Sequence, residues 1–490
     1  MKHTTKFEIL KWIKKILFVL FCLSILFLFF YFFKDISNYF FKGENAPQGE
    51  LIKVILTFIA GIIALLVWHS GYKRVKVMEK QTEKTAEQIR VMYKGNVDTR
   101  FNSAVGHLGN SNPAVVLGGI HVLHQIAVEH KSYTQIVHNL FCSFLRENSA
   151  NLYNTTNKCP VIIQTLITYL FCPYNKEENV YKAYPSDLSF SVLKNCDFPK
   201  IEMSFVNFNN CTLEDWNFWG GTFTKCNFEG ATLINCNFFD RTFTECDFGN
   251  TTLTNCRFEN GTLIKCSFSN VILTECDFMN GTLTKCNFGG KLLKCDFTNA
   301  PFTKCYLGGE LTNCKFSCGT FIEGGLRGTL TECNFDSRRF TECDFSNGTL
   351  IKCIFNNVIL TKCKFREATL TECEFKGAAY LIDGSLIECD FWYGKLTKCN
   401  FEGGKFSKCN LWGGILTKCN FRESGFTECD FLYGTLKECD FSRATLTKCD
   451  FIDKQYNGKN KASLIDCNFG NTTLIDTELQ PSLGIASRYV

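Results

Sequence analysis

Cysteine is the most abundant chemically reactive side chain in this sequence, with thirty among 490 residues. Thiols at this density could pair as disulfides in an exported protein, bind metal ions, or pack as small apolar groups in a core. Only eight prolines and five methionines accompany the thirty cysteines and forty-nine phenylalanines. This skew indicates that a periodic structure uses Cys and Phe.

Histidine offers a second route to metal binding, through His107, His121, His124 and His138. On a helix, His121 and His124 would share one face at a spacing of three residues. However, no third ligand of a suitable type lies close by, and Cys142 and Cys159 do not form a C-x-x-C pair. We therefore interpret the histidines as ordinary core or surface residues and expect no metal site and no cofactor. No nucleophile elbow or phosphate loop occurs either, so we predict no catalytic residues.

A repeat of five residues begins near Leu188 and continues to Leu479, over about 58 units. Each unit has a small residue, any residue, and then Phe or Leu, and the central residues of 246–290 alternate between Phe and Leu without a break. The register survives one-residue deletions near Leu292, Leu311 and Leu330 and a one-residue insertion before Leu386. Only residues 454–461 interrupt it by a larger insert. Internal similarity of this strength predicts a solenoid.

A period of five matches neither the helix period of 3.6 nor the strand period of 2, so neither element keeps these apolar residues on one face. If each unit is one side of a coil, the central Phe or Leu and the small residue two before it always point inward. Stacked coils would then pair backbones about 4.8 Å apart. Cysteines on one side would be too far apart for unstrained disulfides. The predicted core includes Cys246, Phe248, Leu253, Cys256, Phe258, Leu263, Cys266, Phe268, Phe345, Leu350 and Phe355.

This pattern resembles the pentapeptide-repeat family, whose fold is a right-handed quadrilateral β-helix with four units per coil. The resemblance implies that Cys and Phe occupy two opposite sides, as at Cys246/Phe248 and Cys256/Phe258. Upstream, several short motifs resemble a helical segment of membrane-anchored bacterial pentapeptide-repeat proteins: Arg100-Phe101, Leu108-Gly109, Leu117-Gly118-Gly119-Ile120, Ile126-Ala127, Phe144 and Arg146-Glu147. The middle motif is usually more charged in those proteins, whereas Val116, His121, His124 and Gln125 occupy it here.

Two apolar runs near the start predict a membrane hairpin with transmembrane helices at about 16–33 and 52–71. Lysines precede the first run, and Lys73, Arg74, Lys76 and Lys80 follow the second. By the positive-inside rule both termini are cytoplasmic, and we expect an integral protein of a bacterial inner membrane. The alternative is a buried helical hairpin in a soluble protein. A reducing cytoplasm would keep the thiols free.

The sequence therefore predicts five regions: a membrane anchor (1–72), a helical stalk (73–98), an α-helical segment (99–185), the β-helix (186–480) and a tail (481–490). The stalk has coiled-coil spacing through Val75, Met78, Thr82, Thr85, Ile89 and Met92. In the helical segment we expect helices starting at Pro113, over Tyr133 to Asn148, and over Pro160 to Leu170.

These regions suggest a non-catalytic membrane-tethered scaffold that presents a rigid β-helix to an unidentified protein partner. Residues 188–490 hold 32 Lys and Arg against 35 Asp and Glu, a net charge of −3. This is too little for the DNA-mimicking, topoisomerase-protecting role of some pentapeptide-repeat proteins, so we expect no nucleic acid partner. An enzyme or channel with its site in the N-terminal helical part is the other alternative. We expect the last coils, around Leu464, Phe469 and Leu474, to bind a partner or a second copy.

Overall fold

A computed structural model describes residues 48–153, 158–172, 179–198, 201–218, 221–376, 385–452 and 461–479, together with Leu20, Ser24, Phe27 and Tyr31. The chain divides into two compact units, residues 1–96 and residues 97–490. The predicted insertion before Leu386, the insert 454–461 and the tail 481–490 lie wholly or mostly outside the described residues.

The first unit is described mainly through one helix, α1, at Gln48–Leu108. This helix contains the predicted second span and the predicted stalk without a break, and it continues into the second unit. It is the one helix in the described ranges that is long and apolar enough to cross a membrane. Leu65, Val67 and Trp68 are exposed on it. Most of the predicted first span lies outside the described residues, so the hairpin stays a prediction.

Three shorter helices follow α1: α2 at Pro113–Glu129, α3 at Lys131–Leu152 and α4 at Val161–Phe171. Helix α2 begins at Pro113 because proline is favoured in the first turn and the Asn112 side chain accepts a hydrogen bond from the backbone N–H of Ala114. A Cβ at Gly119 would lie 2.8 Å from the Ala104 carbonyl oxygen on α1. The Gly-Gly motif therefore permits close packing of α1 against α2.

The repeat array folds as a β-solenoid with two parallel sheets of fourteen strands each. Sheet 1 runs in order through Val192–Lys194, Thr212–Glu214, Thr232–Ile234, Thr252–Thr254, Ser267–Thr274, Asn287–Leu293, Tyr306–Thr312, Gly325–Thr331, Thr349–Ile351, Thr369–Thr371, Lys395–Thr397, Ile415–Thr417, Thr435–Lys437 and Ser463–Ile465. Sheet 2 runs through Ile201–Ser204, Gly221–Thr224, Thr242–Thr244, Thr262–Ile264, Thr282–Thr284, Phe302–Thr303, Thr320–Ile322, Arg339–Thr341, Ile359–Thr361, Ser385–Ile387, Lys405–Ser407, Gly425–Thr427, Thr445–Thr447 and Thr473–Ile475.

The other two sides of the coil pair mostly through single-residue parallel bridges, such as Asp247 with Ser267 and Arg257 with Asp277. Asp197–Phe198 and Asn217–Phe218 form a short two-stranded sheet on one of them. Four columns of backbone pairing therefore run along the array, which confirms the predicted β-solenoid built from four units per coil.

The interior contains the side chains that the repeat places there. All eleven predicted core residues between Cys246 and Phe355 are at most 1% exposed. Phe248 and Phe268 stack with ring centroids 4.7 Å apart and Phe258 and Phe278 with centroids 4.8 Å apart, while Phe248 meets Phe258 edge to face at 6.2 Å. Two phenylalanine columns therefore stack along the axis and touch across it, an arrangement that aromatic rings favour.

The buried cysteines of the array line these columns, and the cysteines are reduced throughout the described residues. Most array sulfurs also approach a carbonyl oxygen of the preceding coil, as Cys256 Sγ does with the Leu233 oxygen at 3.5 Å and Cys266 Sγ with the Phe243 oxygen at 3.5 Å. At an equivalent inward position the Ser424 hydroxyl donates to the Phe401 oxygen at 2.8 Å. The small inward residue is therefore both a filler and a weak hydrogen-bond donor, a role that sequence analysis missed.

The corners depend on a backbone conformation that the repeat did not reveal. The fifth residue of most units is left-handed although it is not glycine, as at Glu245, Asn250 and Lys265, with φ of 55°, 56° and 55°. This costs about 1 to 2 kcal/mol for an L-residue. In return its N–H donates to the next coil, as Lys265 does to the Thr284 oxygen at 2.8 Å.

The three one-residue deletions stack on one another at a single corner. There the turn is replaced by seven-residue strands, Asn287–Leu293, Tyr306–Thr312 and Gly325–Thr331. Gly290 and Gly309 have φ of 114° and 92°, and a Cβ at Gly309 would lie 2.1 Å from the Gly290 oxygen. Glycine is therefore required where the shortened corners pack, and the register survives because the deletions coincide.

The helical segment caps the first coil of the solenoid. The Gln164 side chain donates to the Asp197 carbonyl and accepts from the Asp197 N–H, both at 2.9 Å, as a neighbouring strand would. The Val192 N–H donates to the Ser149 hydroxyl at 2.9 Å, and the Tyr153 hydroxyl donates to the Lys194 carbonyl at 2.9 Å. Side chains of α3 and α4 and of the residue after α3 thus satisfy the open edge.

Three histidines pack at this junction within hydrogen-bonded clusters. His124 stacks on Tyr169 with centroids 3.7 Å apart, and its Nδ1 lies 3.1 Å from the Tyr181 hydroxyl. Burial and the nearby His121 lower the pKa of His124 to about 4. Burial also lowers the pKa of His138. The folded helical segment therefore favours the neutral imidazoles of His124 and His138.

We expect Phe258→Ala to cost about 3 to 5 kcal/mol of stability because it leaves a cavity between stacked rings. Cys256→Ala should cost about 1 kcal/mol or less, since it removes one sulfur atom and a weak hydrogen bond. Thr254→Ala, on the half-buried outer face, is the matched control. Denaturant unfolding of the full-length protein measures all three, and a cysteine cost equal to the phenylalanine cost would contradict the packing role.

We expect the helical segment to lose stability as the pH falls. Below pH 6.5 the unfolded His124 gains a proton, whereas the folded residue stays neutral until about pH 4. Above pH 6.5 His124 is neutral in both states and does not reduce the free energy of unfolding. Between pH 6.5 and pH 4 the protonation of the unfolded residue lowers that free energy by about 3 kcal/mol. Unfolding followed by circular dichroism should show that the free energy of unfolding depends less steeply on pH in His124→Phe. Some dependence should remain because His138 also contributes. An unchanged slope in His124→Phe, or an equal reduction in the exposed-site control His107→Phe, would contradict this assignment.

Candidate interaction surfaces

The outer corners of the solenoid carry charges that pair between successive coils. Lys265 lies 2.8 Å from Glu245, Lys398 lies 3.1 Å from Glu372, and Lys304 lies 3.2 Å from Glu323. The Lys265 ammonium lowers the pKa of Glu245 by hydrogen bonding and by its charge. Cations and anions therefore alternate along the surface, which disfavours mimicry of a uniformly anionic duplex.

One corner is aromatic instead of charged. Trp392, Tyr393, Trp412 and Tyr433 occupy the fourth or fifth positions of three successive units on the same side, which begin at Cys389, Cys409 and Cys429. Trp412 lies 5.3 Å from Tyr393 and 4.8 Å from Tyr433 between ring centroids, and Tyr393 and Tyr433 are 45% and 46% exposed. We call these four residues the aromatic corner.

The aromatic corner borders a row of second-position residues, Asp390, Asn410, Asp430 and Asp450, and we call its three carboxylates the aspartate row. In the preceding coil Arg366 takes the position that Trp392 takes in the next, and its guanidinium pairs with Asp390. The chain itself thus shows a cation bound at this row. Sequence analysis missed the site, although Trp and Tyr recurring at one repeat position in consecutive coils is a visible signal.

The three residues predicted for the interaction end differ in exposure. Phe469 and Leu474 are each 4% exposed, and Phe469 stacks on Phe441 at 5.0 Å. Leu464 is half-buried, and Ile465 beside it is 41% exposed. Their strands, Ser463–Ile465 and Thr473–Ile475, are the last in the two sheets as described. Among the described residues, both sheets of the solenoid therefore end at this coil.

The junction also contains a serine and a histidine in contact. His138 Nε2 lies 2.9 Å from the Ser186 hydroxyl, beside a cavity of about 590 Å³ that Ser186, Tyr181 and Tyr184 help to line. Ser186 and His138 are 4% and 1% exposed, so the pair joins the solenoid to α3 inside the protein. Across the described residues no three His, Cys, Asp or Glu side chains are grouped to hold a metal ion.

A model of the family "Pentapeptide repeats" matches the chain in eight copies, which include residues 242–280, 252–290, 339–377, 385–423 and 405–443. The search of curated protein sequences returns no match. The four residues of the aromatic corner lie within the matched residues 385–443.

Among solved structures, the chain is similar to HetL of the cyanobacterium Nostoc sp. strain PCC 7120, with 14% identity over 52% of this chain and 92% of that one, at a TM-score of 0.21. Full-length QnrB1, a plasmid-mediated fluoroquinolone resistance protein, has 12% identity over 57% and 93%, at 0.10. A thylakoid-lumen pentapeptide-repeat protein of Arabidopsis thaliana has 20% identity over 20% of this chain and 63% of that one, at 0.18, so less than two thirds of its length is spanned. With its five-residue repeat, its four-sided coil and the matching family model, the solenoid of this chain is an array of pentapeptide repeats.

Proposed function

We propose that this protein is a non-catalytic, membrane-tethered scaffold whose solenoid binds a protein partner. The aromatic corner is the observation that carries the proposal. Trp and Tyr are enriched in the residues that dominate protein interfaces, whereas most other corners of this array carry polar or charged groups. The alternative is DNA mimicry directed at a topoisomerase. The alternating ion pairs disfavour it because a DNA duplex is uniformly anionic.

The partner segment is basic. A guanidinium can stack on an indole or phenol ring and pair with a carboxylate at the same time. The aromatic corner and its aspartate row offer both groups side by side, and the pair of Arg366 with Asp390 is an internal example of half of this arrangement. We therefore expect an exposed Arg-containing segment of another protein to bind at Trp412, Tyr433 and the neighbouring Asp430 and Asp450.

Trp412→Ala combined with Tyr433→Ala should abolish partner cross-linking to the full-length protein in native membranes, because it removes the stacking surface. Tyr306→Ala, at a tyrosine elsewhere on the solenoid that is more exposed than Tyr433, should leave the cross-link intact. A defined arginine-rich peptide should bind the wild type more weakly as salt increases. Equal cross-linking by the double variant and the wild type would contradict the proposal. Equal affinity of the two proteins for the peptide would contradict it as well.

Tethering places the solenoid in the cytoplasm, as the lysines beside the apolar runs suggest. Cys318 reports on this directly, because it is the exposed cysteine of the described array. A membrane-impermeant maleimide should leave Cys318 unmodified in intact cells and modify it after permeabilisation, with Cys318→Ser as the control. Modification in intact cells would reverse the topology, and recovery of the protein in the soluble fraction would remove the tether.

The last described coil is a second candidate contact, with another copy of the chain as its occupant. Ser463–Ile465 and Thr473–Ile475 are the last strands of the two sheets among the described residues, and Ile465 is exposed next to half-buried Leu464. We expect Ile465→Asp to reduce the mass of the full-length protein in detergent from dimer to monomer. Ile272→Asp, on the same side in mid-array and 47% exposed, should not. A monomeric wild type would contradict self-association without affecting the scaffold proposal.

A further inference from the structure

Two cysteines meet where the helical segment joins the solenoid. Cys159 lies two residues before α4, and Cys196 begins the first unit that has the Cys-x-Phe pattern. Their sulfur atoms are 2.9 Å apart. The pair differs from the cysteine columns in the interior because it joins two parts of the fold that are otherwise held by hydrogen bonds and packing.

Cys159 is the accessible member of the pair. It is partly exposed and helps to line a cavity of about 550 Å³ with Lys158, Gln164 and Asp197. Cys196 is 1% exposed and lies behind it. A small solute that enters this cavity therefore meets the sulfur of Cys159 first.

The contact also makes the two thiols chemically unequal. The Cys196 S–H can donate to the Cys159 sulfur, and this hydrogen bond lowers the pKa of Cys159 and raises that of Cys196. The Tyr153 hydroxyl lies 3.5 Å from the Cys196 sulfur and adds a polar neighbour. Cys159 is thus the thiol that ionises first, and thiolates are the nucleophilic form of cysteine.

We propose that Cys159 and Cys196 are a peroxide-oxidisable dithiol, a modification site that reversibly fastens the helical segment to the first coil. The Cys159 thiolate attacks one oxygen of hydrogen peroxide, the O–O bond breaks, and hydroxide leaves with a proton as water, which makes a sulfenic acid. Cys196 then loses its proton and attacks the Cys159 sulfur, displacing hydroxide that leaves as water. Two thiols and one peroxide give one disulfide and two waters.

The disulfide would act on the cap described above. It would close a loop between residues 37 positions apart and hold α4 against the edge that Gln164 pairs with at Asp197. A cross-link of this kind restricts the unfolded chain and stabilises the folded one. Reducing conditions in the cytoplasm would restore the thiols. The proposal does not depend on what the solenoid binds.

The test uses the full-length protein treated with hydrogen peroxide, blocked with N-ethylmaleimide and digested without reduction. We expect a peptide pair joined through Cys159 and Cys196 to appear, and thioredoxin to remove it. In Cys196→Ser, dimedone should trap a sulfenic acid on Cys159. Cys318→Ser, which removes the exposed array cysteine, should change neither result.

A second measurement separates a fastening disulfide from incidental oxidation. Oxidised wild type should melt a few degrees higher than the reduced protein, and Cys196→Ser should show no such rise. Recovery of both cysteines as free thiols after Cys318 has been oxidised would overturn the proposal. A disulfide already complete in protein blocked directly in unstressed cells would overturn its reversibility.

Discussion

The structure depends on one spacing, the match between the distance of stacked coils and the centroid separation that stacked aromatic rings prefer. Strands in a sheet lie about 4.8 Å apart, and Phe248 and Phe268 stack with centroids at 4.7 Å. Backbone pairing and ring stacking are therefore satisfied together along most of the array. Because each unit must turn after five residues, most strands are only three residues long, and the stability resides in the columns rather than in any one strand.

The exceptions show how strictly the interior is filled. Arg338 stands at an inward position where a small residue is the rule, and it is fully buried. Its guanidinium donates to the carbonyls of Phe316 at 2.6 Å and Cys318 at 3.1 Å and lies 4.9 Å from the Phe302 ring centre. Burial lowers its pKa to about 9. A charge is accepted here because neighbouring carbonyls accept hydrogen bonds from both terminal nitrogens of the guanidinium.

The sequence was sufficient for the interior and insufficient for the corners. A strict alternation such as Phe258 and Leu263 determines which side chains point inward, so the solenoid and its core could be predicted. The left-handed backbone at Lys265 could not, because lysine carries no preference for that conformation, and the coil above imposes it through a hydrogen bond to Thr284. The contact of the Cys256 thiol with Leu233 and the pairing of Gln164 with Asp197 join residues far apart in sequence. The periodicity of the sequence does not predict either contact.

Function in such an array must therefore be sought outside the repeat positions. The first and third residues of each unit are committed to packing, and the second to pairing between coils. The side chains at the second, fourth and fifth positions vary in chemistry, and most of them are polar or form ion pairs. Where consecutive coils place Trp392, Trp412 and Tyr433 at one corner, the solenoid aligns them at its own spacing into a continuous surface. One unusual side chain in each of several successive units thus produces an extended binding face, because the coils stack these side chains along the axis.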